Sequence, residues 1–253
     1  MRLSRRVVPL YAQYRDAHMN ASIHSPTVVH ALTAIIARDA SLPLMTFYDD
    51  ATGERTELSG ATLANWVSKT ANLLVDGLGL GPGGVASIRL PAHWQTAAVL
   101  LGCWSVGLVV DLDTPTGASD VGFTTAESVN TVNSDETYAL SLAPMGLPFR
   151  SGPPLGSQDF AVEVRAYGDH FAGPPVSPAA PALVDGTTHA DLAAAATGVP
   201  SGARVLIDGD SHPDPRDWLV APLLAGASIV LCRHLDPGQI AARLASEQAV
   251  RLD

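Results

Sequence analysis

The chain has 253 residues, of which 47% are hydrophobic and 16% charged, so it has ample material for a buried core and wholesale disorder is excluded. The length suits one α/β domain or two small ones. The formal net charge of −10 disfavours nucleic acid and anionic membrane surfaces as partners, and no apolar stretch approaches the roughly 20 residues of a membrane-spanning helix.

The lysine and cysteine content narrows the chemistry. Of 15 basic residues, 14 are arginine, and the single lysine is Lys69. Any reaction that needs a lysine ammonium therefore has only that residue. Cys103 and Cys232 lie in apolar runs, which predicts buried free thiols and fits a reducing, cytoplasmic location.

The first part of the chain is predicted to form an α/β lobe. Residues 1–24 carry four arginines and little periodicity, and we expect a loosely ordered arm there. Ser25 and Pro26 have the pattern of a helix cap and first helical residue. After this first helix, the spacing of apolar residues predicts a β-hairpin over 44–58, a helix from 59 to about 77, a strand over 85–90, a helix over 94–104 and a strand over 107–112. This alternation predicts a first lobe over 25–113 with mostly parallel strands.

The rest of the chain is predicted to hold a linker and a second lobe. Eight of the 19 prolines lie between Pro144 and Pro181, so we predict a connecting region over 114–182 with short strands at 121–124 and 138–142 and a helix over 160–167. The alternation returns in 183–253, and its glycine-bounded loop and strand match those near residue 80. The fold class is therefore α/β, with two similar doubly wound lobes and mostly parallel sheets.

Several short motifs resemble the opening of the adenylate-forming superfamily, which includes acyl-CoA synthetases. They are Gly-Leu-Gly-Pro-Gly at 79–83, Leu-Pro-Ala-His-Trp at 90–94, Gly-Leu-Val-Val-Asp-Leu at 107–112 and Ala-Pro-Leu-Leu-Ala-Gly-Ala-Ser-Ile-Val-Leu at 221–231. The resemblance covers roughly residues 27 to 250 and implies the fold of the N-terminal part of such an enzyme. The sequence is also similar to a small group of stand-alone proteins of this length, which resemble truncated AMP-binding enzymes and have no assigned activity.

A phosphate-binding loop is the first candidate site, and it is implied by this resemblance. The nearest match to the family's loop, which ends in Pro-Lys-Gly, supplies Gly186, Thr187 and Thr188 as candidate nucleotide-binding residues, without the lysine. Asp185 and Asp191 place negative charge beside them, which would repel a triphosphate. We favour the interpretation of a turn followed by a capped helix, because Thr188 and Asp191 have capping-box spacing. We expect no cofactor, and ATP or AMP binding is the alternative.

A ligand crevice is the second candidate site. Open α/β sheets bind ligands beyond the carboxyl ends of their strands, and four predicted strand ends carry polar residues. The candidates are His93, Trp94, Asp111, Asp113, Asp208, Asp210, His212, Arg233 and His234. The alternative is that these loops are polar because they meet water. Residues 208–214 could also hold a hard cation, but a solvated turn explains the same pattern and we predict no metal site.

Three hypotheses of function follow. We favour a catalytically degenerate relative of the adenylate-forming enzymes that binds a nucleotide, an acyl ligand or a protein partner, with no catalytic residue. The family's loop lysine is missing, and its later nucleotide motif and C-terminal lysine would lie beyond Asp253. The second hypothesis is one part of a split acyl-CoA synthetase or ligase whose other half is a separate chain. The third is a structural homo-oligomer that pairs through an exposed sheet edge.

Overall fold

The first described helix begins at Val28. The computed structural model describes residues 27–113 and 117–252, so the predicted arm and the predicted cap at Ser25 and Pro26 lie outside them. Thr27 caps helix α1 (Val28–Arg38), because its side-chain oxygen accepts a hydrogen bond from the amide of His30 at 3.2 Å.

The described residues contain ten strands and seven α-helices, joined by loops and by short 3₁₀- and π-helical segments. The strands are β1 (Pro43–Asp49), β2 (Glu54–Ser59), β3 (Val85–Arg89), β4 (Val109–Asp111), β5 (Ser119–Thr124), β6 (Ser134–Ala139), β7 (Gln158–Asp159), β8 (Arg204–Asp208), β9 (Ser228–Arg233) and β10 (Val250–Arg251). After α1, the helices are α2 (Gly60–Asn72), α3 (Trp94–Val106), α4 (Phe160–Glu163), α5 (His189–Ala195), α6 (Ala221–Leu224) and α7 (Ile240–Glu247). Within the described ranges, no helix is long and apolar enough to cross a membrane.

The strands form two five-stranded sheets, which confirms the predicted fold class. The first sheet has the order β10-β8-β9-β1-β2, and it is parallel except for the β1–β2 hairpin. The second sheet has the order β4-β3-β5-β6-β7 and is parallel throughout. Buried parallel strands read as continuous apolar runs, and Ile229–Cys232 in β9 is such a run.

The sheets do not follow the predicted lobe boundaries. The hairpin predicted for the first lobe joins the first sheet, where Phe47 of β1 lies opposite Leu231 of β9. The region 114–182, predicted as a connection, supplies β5, β6 and β7 to the second sheet. Strand pairing depends on which apolar faces bury each other across the molecule, and position along the chain does not reveal that choice.

Helix α3 lies between the two sheets and joins them into one core. It is apolar all round and buried at 12 of its 13 positions, and it contacts both β1 and β4. One large cluster of buried side chains includes Phe47 from the first sheet and Phe123 from the second, and a small separate cluster consists of Leu206, Val230 and Cys232. The loop before α3 packs closely against Gly209, which follows β8, because a side chain at position 209 would clash with Ala92.

Candidate functional site

A cavity of about 520 Å³ lies at the carboxyl ends of β3 and β4. Its apolar lining consists of Ile88, Leu90, Leu100, Val110, Leu112, Leu183, Val184 and Trp218. Its polar lining includes Asp111, Asp113, Asp185, Asp214 and Arg216. The strand ends of an open α/β sheet are where such folds place ligands, so this cavity is the candidate site.

One wall of the cavity is a short segment that runs beside β4. The amide of Val110 donates to the carbonyl of Ala182 at 2.9 Å, and the amide of Val184 donates to the carbonyl of Val110 at 3.1 Å. The segment then turns at Gly186, whose φ of +92° favours glycine. Because the two segments are parallel, Asp113 and Asp185 follow them at the same end.

A second wall is formed by residues 213–218. Trp218 is 1% exposed, and its indole Nε1 donates to the carbonyl of Pro213 at 3.3 Å. Arg216 pairs with Asp214 through two hydrogen bonds, one of them 2.8 Å from Nε to Oδ2. Hydrogen bonds from Thr187, aided by the positive charge of Arg216, lower the pKa of Asp185 below its usual range.

Asp111 is the buried acid of the cavity. Its carboxylate accepts hydrogen bonds from Ser87 at 3.3 Å, from Arg89 at 3.0 Å and from the amide of Asp113 at 3.1 Å. Arg89 also donates to the carbonyl of Asp111 at 2.9 Å. The buried negative charge is thus paired with a positive one, as a buried charge requires.

Five predicted crevice residues lie outside the cavity lining, at the carboxyl end of the first sheet: Asp208, Asp210, His212, Arg233 and His234. Asp210 accepts a hydrogen bond from Nε of Arg233 at 3.3 Å and one from the amide of His234 at 2.5 Å. The imidazole of His234 bonds to Asp49 of β1 at 2.8 Å. This network joins β1, β8 and β9. Among the described residues, no group of three or more His, Cys, Asp or Glu side chains could hold a metal ion.

His93 and Trp94, the other predicted crevice residues, belong to the core. His93 caps α3 by accepting the amide of Gln95 at Nδ1, and its ring packs edge-on against Phe47 at 4.3 Å. Burial, together with the charge of Arg233, lowers the pKa of His93 to about 3, so the ring is neutral. Of the nine predicted crevice residues, the structure brings only Asp111 and Asp113 to the cavity.

The candidate nucleotide residues form a turn and a helix cap. The amide of Thr187 donates to Asp185, and the amide of Thr188 donates to Asp191, each at 2.9 Å. Thr188 accepts the amide of Asp191 in return, which confirms the predicted capping box on α5. The two amides that could face a phosphate are therefore already occupied by carboxylates.

A relative from Mycobacterium tuberculosis, described as a TIGR03089 family protein, is 42% identical to this chain over 236 residues. The match covers 87% of this chain and 95% of the relative. The chain belongs to the TIGR03089 family. No protein-family model matches the sequence.

Solved structures relate the fold of this TIGR03089 family chain to acyl-CoA synthetases. An acyl-CoA synthetase from Brucella canis superimposes with a TM-score of 0.69 at 15% identity, over 94% of this chain and 50% of that one. The N-terminal domain of FACL13 from Mycobacterium tuberculosis superimposes with a TM-score of 0.61 at 13% identity, over 88% of this chain and 61% of that one. The chain thus spans about half the length of the Brucella enzyme, and the likeness shows the fold of the N-terminal region.

Sequence reasoning missed one entire wall of the TIGR03089 family chain's cavity. Asp214, Arg216 and Trp218 follow β8 and were not assigned to the crevice, although Pro213 and Pro215 mark a rigid turn there. Asp185 was noted only as an obstacle to phosphate. Asp113, which follows the neighbouring segment of the same wall, lies 72 positions away in sequence, and the pairing of Val110 with Leu183 brings the two segments together.

Proposed function

We propose that this chain is a catalytically degenerate relative of the adenylate-forming enzymes that binds a small apolar molecule. The observation that carries the proposal is the cavity of about 520 Å³, with its eight apolar side chains, at the carboxyl ends of β3 and β4. Small-molecule sites are concave and mostly apolar, with a few polar groups that set orientation. The pairing of Trp218 with Pro213 and the packing beside β4 supply a pre-formed site.

The polar groups support binding without adenylation. A nucleotide would need free backbone amides and a cation against its phosphates. Here the amides of Thr187 and Thr188 donate to aspartates. The single lysine, Lys69, donates to the carbonyl of Tyr167 and pairs with Asp169, each at 2.7 Å. These contacts support a ligand other than ATP or AMP.

Calorimetric titration with 1-octanol tests the binding proposal. Saturable binding is expected for the native chain, because the alkyl chain leaves water for the apolar floor. Val184→Trp, at a cavity-lining residue that is 45% exposed, should weaken binding by about tenfold or more by filling the cavity. Val162→Trp, the same change at a residue that is 52% exposed and outside the cavity lining, should bind like the native chain.

Unaltered octanol binding in Val184→Trp would place the alcohol elsewhere and contradict the proposal, as would no binding at all. The degenerate character has its own test. The purified chain, given ATP and a panel of carboxylic acids, is expected to release no pyrophosphate above the rate without acid. Acid-dependent release would show that the chain adenylates by itself.

A further inference from the structure

The charges around the cavity are unequal in number. Four aspartates line it, Asp111, Asp113, Asp185 and Asp214, against one arginine, Arg216. An apolar floor with a negatively charged rim selects its ligand by charge as well as by size.

Two of the four carboxylates are compensated. Asp111 is paired with Arg89 at 3.0 Å, and Asp214 is paired with Arg216. Asp113 and Asp185 differ from these. Both are exposed, and no ion pair joins either carboxylate to a cation within 4.0 Å in the part of the chain that the structure describes.

Asp113 and Asp185 are both exposed, and the positive charge of Arg216 acts on Asp185 without an ion pair between the two side chains. Asp113 and Asp185 follow the two parallel segments held by the hydrogen bond from Val184 to Val110, so both carboxylates stand at one end of the same wall. Asp185 has a lowered pKa and is ionised at neutral pH. A carboxylate or phosphate at this rim would be repelled, whereas a cation would be attracted.

We infer that the ligand is an apolar molecule that carries an ammonium group. Its apolar part lies on the floor that includes Leu100 and Trp218, and its ammonium lies at the rim beside Asp113 and Asp185. This inference rests on the proposed function, because it assigns a chemical class to the occupant of the same cavity. Arg216 is the one lining group that favours an anion, and its guanidinium is already held by Asp214.

Three probes with the same eight-carbon chain test the inference by calorimetric titration at pH 7: octylammonium, 1-octanol and octanoate. At low ionic strength, octylammonium is expected to bind about tenfold more tightly than octanoate, with octanol between them. Raising the salt concentration should narrow the difference, because exposed charges are screened. The double variant Asp113→Asn/Asp185→Asn should bind octylammonium and octanoate with affinities within about twofold of each other.

The control variant is Asp135→Asn. Asp135 is an exposed acid near the amino end of β6, outside the cavity lining, so this variant should keep the native preference. The inference would be overturned if octanoate bound more tightly than octylammonium, or if the double variant kept the preference for octylammonium. In either case, binding of octanol would still support the proposed function. Failure of all three probes to bind would overturn both.

Discussion

At the scale of single residues, a buried histidine makes the fold sensitive to acid. His189 is 1% exposed, and neither ring nitrogen has a hydrogen-bond partner among the described residues. Burial, with a smaller contribution from the charge of His30, lowers the pKa of His189 from 6.5 to about 4. The unfolded chain therefore takes up this proton first as the pH falls.

The sign of the effect follows from linkage. Above pH 6.5 the ring is neutral in both states and stability is unaffected, and from pH 6.5 down to about 4 stability falls as the unfolded state is protonated. His189→Leu should therefore raise the free energy of unfolding at pH 5 by about 1 to 2 kcal/mol more than at pH 8. Urea denaturation at the two pH values measures this difference.

His170→Leu is the matched control, because His170 is exposed, and it should show no such pH-dependent gain. An equal gain at pH 5 and pH 8 in His189→Leu would mean that folding does not lower the pKa of this histidine, so that it is protonated at pH 5 in the folded state as well. The substitution would then report only on packing.

A residue's role can be predicted from the sequence when it depends on nearby residues, but not when it depends on the pairing of distant segments. The cap formed by Thr188 and Asp191 was predictable, because both partners lie within one helical turn and the pattern has few other structural interpretations. The role of Asp113 beside Asp185 was not, since it depends on the pairing of two segments far apart in sequence. The burial of His93 was likewise hidden, because a polar residue after a strand usually faces solvent.

At the scale of secondary-structure elements, one glutamate fixes α7 against the first sheet. The Glu247 side chain is 8% exposed and accepts hydrogen bonds from Arg204, Arg55 and Tyr48. Burial alone would raise the pKa of Glu247, but the hydrogen bonds, first that from Tyr48, lower it to about 2. Its charge therefore stabilises the fold fully above pH 4.5, and this contribution is lost as the pH falls towards 2.

Glu247→Gln should lower the free energy of unfolding by about 2 kcal/mol at pH 7, because two arginines lose the charge that pairs with them in a partly buried site. The loss should shrink as the pH falls from 4.5 towards 2, where the native glutamate is itself protonated. Glu57→Gln is the matched control. Its carboxylate also pairs with Arg55, but the side chain is 35% exposed, so the loss should stay below about 1 kcal/mol. Equal losses in the two variants would contradict a special role for Glu247.

Strand prediction succeeded where apolar residues mark the strand and failed where polar residues begin it. β1 and β3 have buried apolar centres and begin within one residue of their predicted starts. β6 begins at Ser134, four residues before its predicted start, because its first residues are polar although Ser134 pairs with Ser119 and Glu136 with Val121 of β5. β7 and β10 have two residues each, too few for any pattern.

At the scale of the whole molecule, the shared core predicts a single unfolding transition. Phe47 of β1 is 1% exposed and Phe160 of α4 is buried completely beside Phe123 of β5, and all three belong to one cluster of buried side chains. Two lobes with the sequence-predicted boundaries would instead have separate cores. Repetition of a strand-helix-strand pattern does not distinguish these arrangements, because either one buries the same apolar faces.

Phe47→Leu and Phe160→Leu decide between a shared core and separate cores. Phe47 lies in the first sheet and Phe160 packs against Phe123 of the second, so each substitution removes ring contacts at a different sheet. Each should cost about 1 to 2 kcal/mol, which lowers Tm by about 2 to 8 °C for a chain of this size. With a shared core, differential scanning calorimetry should show one peak in the native chain and in both variants, and each substitution should move the whole peak. If the peak splits, with each substitution moving only its own half, the two sheets are independent domains, and α3 does not couple them.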